Sequence, residues 1–256
     1  MRFTQHAVKR TVAIFATTLF VGCAHAAGAP APACVPAHVA DADFMICAFD
    51  PAVADMRVFW KDAAGDAYGG FDRLAADIAA RGGRLLFAMN AGMYQPDLSP
   101  VGLHVEKGEE LHPLNRRSGG GNFGMTPNGV FWLRGKTAGV TETRKFAAQN
   151  IRPDYATQSG PMLVIGGKIH PKIQPDGVSE KTRNGVGVCD DGFVRFIIAD
   201  TPVNFYTFAT IFLSLKCNDA LFLDGSVSAL YAPDLKRNDG WKSIGPIVGV
   251  VESLKK

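Results

Sequence analysis

The sequence predicts an α+β fold, a single domain with a mixed or antiparallel β-sheet core and a few packed helices. Many short apolar runs are bounded by turn residues, as strands are. Only two stretches carry a clear helical stripe. No regular alternation of strand and helix occurs, as a wholly parallel sheet would require.

Taken in order, the 256-residue chain opens on Arg2, Lys9 and Arg10, an uncharged and mostly apolar run from Val12 to Gly22, and then Ala24-His25-Ala26. That is the pattern of a secretory signal peptide over residues 1–26, too short to cross a membrane by itself. It places the mature chain in the periplasm or outside the cell. Phe20-Val21-Gly22-Cys23 loosely resembles a lipobox, but a Leu is usual where Phe20 stands, so lipid anchoring at Cys23 is the lesser alternative. Residues 27–40, rich in Ala and Pro, read as a loose leader. Residues 41–256 read as one domain, because neither a repeat nor a linker interrupts them.

Processing would remove three basic residues and no acidic ones, leaving 24 Lys plus Arg against 24 Asp plus Glu. That balance argues against a nucleic-acid partner, which needs clustered excess cations. No later segment is long and apolar enough for a transmembrane helix. Four cysteines survive processing, and an even count in an exported chain points to disulfides. Of the three possible pairings, Cys34 with Cys47 and Cys189 with Cys217 is favoured. Each bridge would contribute about 3 kcal/mol. Zinc is disfavoured, since neither a C-x-x-C nor a His-rich spacing occurs. The expected metal and cofactor complement is none.

Strands are expected at Met56–Trp60, Arg84–Met89, Gly129–Leu133, Met162–Ile165, Val186–Val188 and Phe193–Ala199. Phe71, Leu74, Ala75, Ile78 and Ala79 recur at helical spacing, and Gly82-Gly83 supplies a stop. A second helix runs from about Phe205 to Leu215, with Asn204 as its N-cap. Gly166-Gly167 after Ile165 suggests a hairpin. Gly135-Lys136-Thr137 has the look of a P-loop ending, but Val130 stands where a Gly is needed and Thr141 and Thr143 do little for a helix there, so a surface turn is expected.

The chemistry-bearing residues lie between these elements. The apolar run Ala220–Leu223 delivers Asp224 into the turn Gly225-Ser226, where a rigid strand meets a loop. Its bland reading is an Asp that hydrogen-bonds its own turn. Upstream, Lys181-Thr182-Arg183-Asn184-Gly185 abuts another strand. The Arg183 guanidinium is a fixed fork of donors suited to phosphate, or alternatively one half of a surface ion pair. The run Ser118–Gly124 offers bare backbone amides to an anion or is a plain flexible loop. Asn90, at a strand end, and Ser159-Gly160-Pro161 are similarly two-sided. His104, His112 and His170 have no partner spacing and read as satisfied or solvated.

Six segments occur in order: Asn90-Ala91-Gly92-Met93-Tyr94, Gly121-Asn122-Phe123, Pro127-Asn128-Gly129-Val130-Phe131, Ser159-Gly160-Pro161, Arg183-Asn184-Gly185-Val186-Gly187 and Leu223-Asp224-Gly225-Ser226. Together they closely resemble the phosphodiester glycosidase family, over roughly Leu85 to Val251. An animal member of that family removes N-acetylglucosamine from phosphodiester-linked mannose. The chain looks closest to the bacterial exported branch. It departs from the family by carrying Ser226 where Asp-Gly-Gly is common, and Arg-Asn-Gly where the animal enzyme has Arg-Thr.

The resemblance implies hydrolysis of a sugar–O–phosphate–O–R linkage at the sugar carbon, with a small-molecule or glycan phosphodiester as substrate. Asp224 and Arg183 are the expected catalytic pair. Asp224 would act at the anomeric centre, and Arg183, with Thr182 and Asn184, would hold the phosphate. Asn90, Asn122, Ser159, Gly160, Gly225 and Ser226 complete the expected substrate-binding set. The alternative is a non-catalytic envelope module that binds a phosphodiester-containing glycan. A metal-dependent phosphodiesterase is the weakest reading, because paired Asp/His ligand spacings are missing.

Overall fold

The computed structural model describes residues 33–39, 41–225 and 227–254. The expected signal peptide with Cys23, and Ser226, lie outside the described residues.

Among the described residues, seventeen strands form three antiparallel sheets. The largest runs β1 (Ala33–Val39), β2 (Ala42–Phe49), β13 (Val194–Ala199), β12 (Asn184–Cys189), β14 (Cys217–Asp224), β10 (Met162–Ile165) and β11 (Lys168–Ile169). The second runs β16 (Arg237–Asn238), β15 (Leu230–Ala232), β4 (Gly83–Asn90), β17 (Ile247–Ser253) and β3 (Asp55–Phe59). The third runs β6 (Glu109–His112), β5 (His104–Glu106), β9 (Tyr155–Ser159), β7 (Gly129–Arg134) and β8 (Thr137–Glu142). The α+β expectation holds.

The sheets share one core. Phe196 on β13 lies 5.1 Å from Phe87 on β4 and 5.7 Å from Phe131 on β7, measured between ring centroids. One ring thus touches all three sheets, and tilted or edge-on aromatic pairs of this kind add to the burial energy. Leu221, Leu223 and Leu230 fill the same cluster.

Two helices cover outer faces. On α1 (Phe71–Ala80), Phe71, Leu74 and Ile78 pack against Leu85, Ala88 and Val251. The expected cap of α4 (Phe205–Ser214) is present, with Asn204 Oδ1 accepting from the Thr207 N–H at 2.8 Å. Phe208 and Phe212 of α4 press directly onto β12. A Cβ added at Gly187 would sit 2.7 Å from Phe212 Cδ1 and 3.1 Å from Cys217 Sγ. Gly187→Val is therefore expected to lower stability by about 1–3 kcal/mol through overpacking. Calorimetry would register this as a Tm fall of roughly 2–4 °C per kcal/mol.

Two expectations are corrected. Within the presumed loose leader, Ala33–Val39 is a regular strand, paired with β2 along its whole length. The composition hid it because Pro36 is poor in a central strand, yet β1 is a sheet edge, where a missing N–H costs little. The segment from Thr143 also does form a short helix, α3 (Thr143–Gln149). Its start is capped by Glu142, which accepts from the Lys145 N–H at 2.9 Å, and Phe146 anchors it in the core. A further short helix, α2 (Gly121–Gly124), lies in the Gly-rich run. Gly135-Lys136-Thr137 is the turn between β7 and β8.

Both favoured disulfides form, Cys34–Cys47 and Cys189–Cys217. Each joins residues directly opposite one another on neighbouring strands. No helix among the described residues is long and apolar enough to cross a membrane.

Candidate active site

Each sheet delivers one strand end to a common point. β4 ends at Asn90, β9 at Ser159 and β14 at Asp224, and β12 begins at Asn184. Because β12 and β14 are antiparallel, Asn184 lies opposite Asp224. Residues forty positions apart meet for that reason.

Asn184 ties the point together. Its Nδ2 donates to both the carbonyl and Oδ1 of Asn90 at 2.8 Å, and its Oδ1 accepts from the Asp224 N–H at 2.9 Å. Asn90 Oδ1 also accepts from the Ala229 N–H at 2.8 Å, while its Nδ2 donates to the Val227 carbonyl at 2.6 Å. The Asn90 amide, 1 % exposed, thus holds the loop after Asp224 and does not face open space. A buried amide bonded through both its oxygen and its nitrogen rigidifies what it touches. Asn184 is equally buried.

Asp224 is 7 % exposed and accepts from the Gly225 N–H at 2.6 Å, so the local turn bond expected on the bland reading is present. Burial first, and the negative charge of Asp224 second, push the Tyr94 phenol up to about 12. The folded chain keeps that proton between pH 10 and about 12, where the unfolded chain loses it, so stability falls as pH rises through this window.

Arg183 is no surface residue. It is 1 % exposed, with its guanidinium 3.7 Å from the Phe205 ring centroid and 5.6 Å from that of Phe222. Its Nε donates to the Val203 carbonyl at 2.8 Å and its Nη2 to the Ser179 carbonyl at 2.6 Å. Burial lowers it to about 10, which leaves it charged at neutral pH. Nη1 is turned toward the acidic loop, 3.5 Å from where a Cβ on Gly225 would sit. That Cβ would also meet Phe222 Cζ at 2.8 Å, so only glycine fits between ring and guanidinium. Two stretches forty residues apart in sequence are here side by side.

The remaining expected residues divide. Ser159 Oγ donates to the Leu223 carbonyl at 2.7 Å, bracing the residue before Asp224. Gly160 backs onto Asn128, whose Nδ2 donates to the Phe123 carbonyl at 2.9 Å. Asn122, half-buried in α2, adjoins Phe123 and makes no side-chain bond to the centre among the described residues. Thr182 contributes its carbonyl, which accepts from Ser228 Oγ at 3.3 Å. The histidines stand apart but are not fully satisfied: buried His104 meets Glu106 through Nε2 at 2.8 Å and His170 Nδ1 accepts from the Lys172 N–H at 3.1 Å, while His104 Nδ1 and His170 Nε2 have no hydrogen-bond partner among the described residues. Sequence reasoning missed the roles of Tyr94 and Ser228, although both lie inside or beside the quoted motifs.

The architecture and this junction define an antiparallel α+β protein with one acid and one buried arginine at the meeting of three sheets. A model of the family described as phosphodiester glycosidase matches residues 83–250. The chain belongs to the phosphodiester glycosidase family. The uncharacterized protein YigE of Escherichia coli K12 is 37 % identical over 183 residues, covering 71 % of each chain. Among solved structures, the catalytic domain of zebrafish N-acetylglucosamine-1-phosphodiester alpha-N-acetylglucosaminidase, auto-inhibited by its pro-peptide, is similar at TM-score 0.60 and 15 % identity. That likeness covers 85 % of this chain and 81 % of that one. A hypothetical protein from Synechocystis is similar at TM-score 0.53 and 11 % identity, covering 86 % of this chain and 61 % of its own. At such identities the structural likeness speaks for the fold.

Proposed function

We propose that this chain is an exported hydrolase that cleaves a glycosyl phosphodiester at the sugar carbon. The observation that carries the reading is that Arg183 Nη1 reaches the turn at Gly225, whose N–H donates to Asp224 Oδ1, within the segment that matches the family. Arg183 holds the phosphate oxygens and balances the charge that stays on the leaving group. A phosphate ester leaves as a stable anion, so strong acid assistance is not required, and one carboxylate suffices where most glycosidases use two. Asp224 acts at the anomeric carbon, as base toward water or as a counter-charge to the oxocarbenium-like state. The Asn90–Asn184 pair sets the carboxylate in place before substrate arrives, which avoids reorganisation in the transition state. The relative from zebrafish is named for removing N-acetylglucosamine from a phosphodiester, which fits this chemistry. The two disulfides fit an oxidising compartment outside the cytoplasm.

Hydrolysis in oxygen-18 water tests the bond that breaks. We expect the label in the released sugar. Label in the phosphate would mean P–O cleavage and overturn the reading, and no turnover of any glycosyl phosphodiester would leave a binding module in its place.

A further inference from the structure

A group of arginines lines cavities beside the third sheet. A cavity of about 220 Å³ is lined by Arg116, Arg117, Arg144, Ser118, Asn128 and Glu142, among others. An adjoining one of about 520 Å³ shares Arg116 and Arg117 and has Val101, Pro113 and Leu114 as an apolar wall. The ion pairs among the described residues lie elsewhere, so three exposed arginines line one hollow with Glu142 as its acidic residue. In a mature chain of zero formal charge such a cluster is local, and like charges held together cost energy unless an anion joins them.

The cluster is also built. Gln158, 1 % exposed, accepts from the Asn115 N–H at 2.9 Å and donates from Nε2 to the Asn115 carbonyl at 2.7 Å and to Thr143 Oγ1 at 3.1 Å. Thr143 Oγ1 donates to Asn128 Oδ1 at 2.7 Å. One buried network therefore pins the segments that carry Arg116, Arg117 and Arg144 to a single floor. Its organiser, Gln158, immediately precedes Ser159, the residue that braces Leu223 beside Asp224. The arginine cleft and the acid are fixed to neighbouring residues of one strand end.

We propose that the cleft of Arg116, Arg117 and Arg144 holds a second phosphate of the substrate, so that the natural substrate is a glycan whose sugars are joined by repeating phosphodiesters. The inference rests on the reading of the Asp224 site given above and names its substrate class. Guanidinium forks suit phosphate oxygens, and the adjoining cavity has room and an apolar wall for the sugar between two phosphates.

The test measures binding, so that it does not depend on turnover. Full-length Asp224→Asn protein would be titrated by calorimetry with a synthetic hexose oligomer carrying three phosphodiesters and with its single-phosphodiester counterpart. We expect the longer ligand to bind tighter by on the order of tenfold, as charge-assisted hydrogen bonds to one extra phosphate allow. Combining Arg116→Ala, Arg117→Ala and Arg144→Ala should bring the affinity ratio close to one. Equal affinities at the outset, or a ratio untouched by the three substitutions, would overturn the proposal. So would an equal gain for a sulfated glycan without phosphodiesters, which would mark a general anion surface. Failure of the catalytic reading would show separately, as absence of sugar release by the unsubstituted protein.

Discussion

Asp224→Asn is expected to fold normally and to lose turnover by about 100-fold or more, the scale of lost acid–base or charge stabilisation. The amide keeps the oxygen that accepts from the Gly225 N–H, and the backbone N–H of residue 224 keeps its bond to Asn184. The loop therefore stays in place while the negative charge disappears. Release of sugar from a glycosyl phosphodiester is the readout, with circular dichroism and Tm as controls. Turnover near that of the unsubstituted protein would remove Asp224 from the mechanism. A large drop in Tm would show instead that the carboxylate holds the junction together.

Arg183→Ala should show the largest loss of stability. The substitution removes a buried cation wedged between Phe205 and Phe222, together with its donors to the Val203 and Ser179 carbonyls. Lost charged hydrogen bonds and the hole left behind sum to about 3 kcal/mol. For a domain of this size that is roughly 6–12 °C in Tm. Such a variant confounds folding with function, so Arg183→Lys separates them. Lysine fills much of the space and keeps the charge but lacks the fork. If Arg183 holds the phosphate, Arg183→Lys lowers kcat/KM for a glycosyl phosphodiester far more than for an uncharged activated glycoside. Equal losses on both would assign it to packing alone.

Much of the fold was legible because its signals are local. The stripes of α1 and α4, the Asn204 cap and the apolar runs of β4, β7 and β13 are set by residues near one another, and each appears where periodicity places it. The edge strand β1 and the helix α3 were hidden. Position in the sheet excuses Pro36 and burial of Phe146 rescues a weak helix, and neither is a property of a short window. The motifs of the site were likewise visible as polar residues at strand ends. Their division of labour was not: Asn90, Asn184 and Ser159 make their bonds to backbone groups far away in the chain.

The sequence by itself determined the fold class, the favoured cysteine pairs and the family, each resting on residue types in order along the chain. Only the tertiary structure decided that Arg183 is buried behind Gly225 and not exposed, that the asparagines brace the acid, and that three arginines share a hollow. Those facts depend on which strand ends three antiparallel sheets bring together, and pairing between strands is decided by the packed core as a whole.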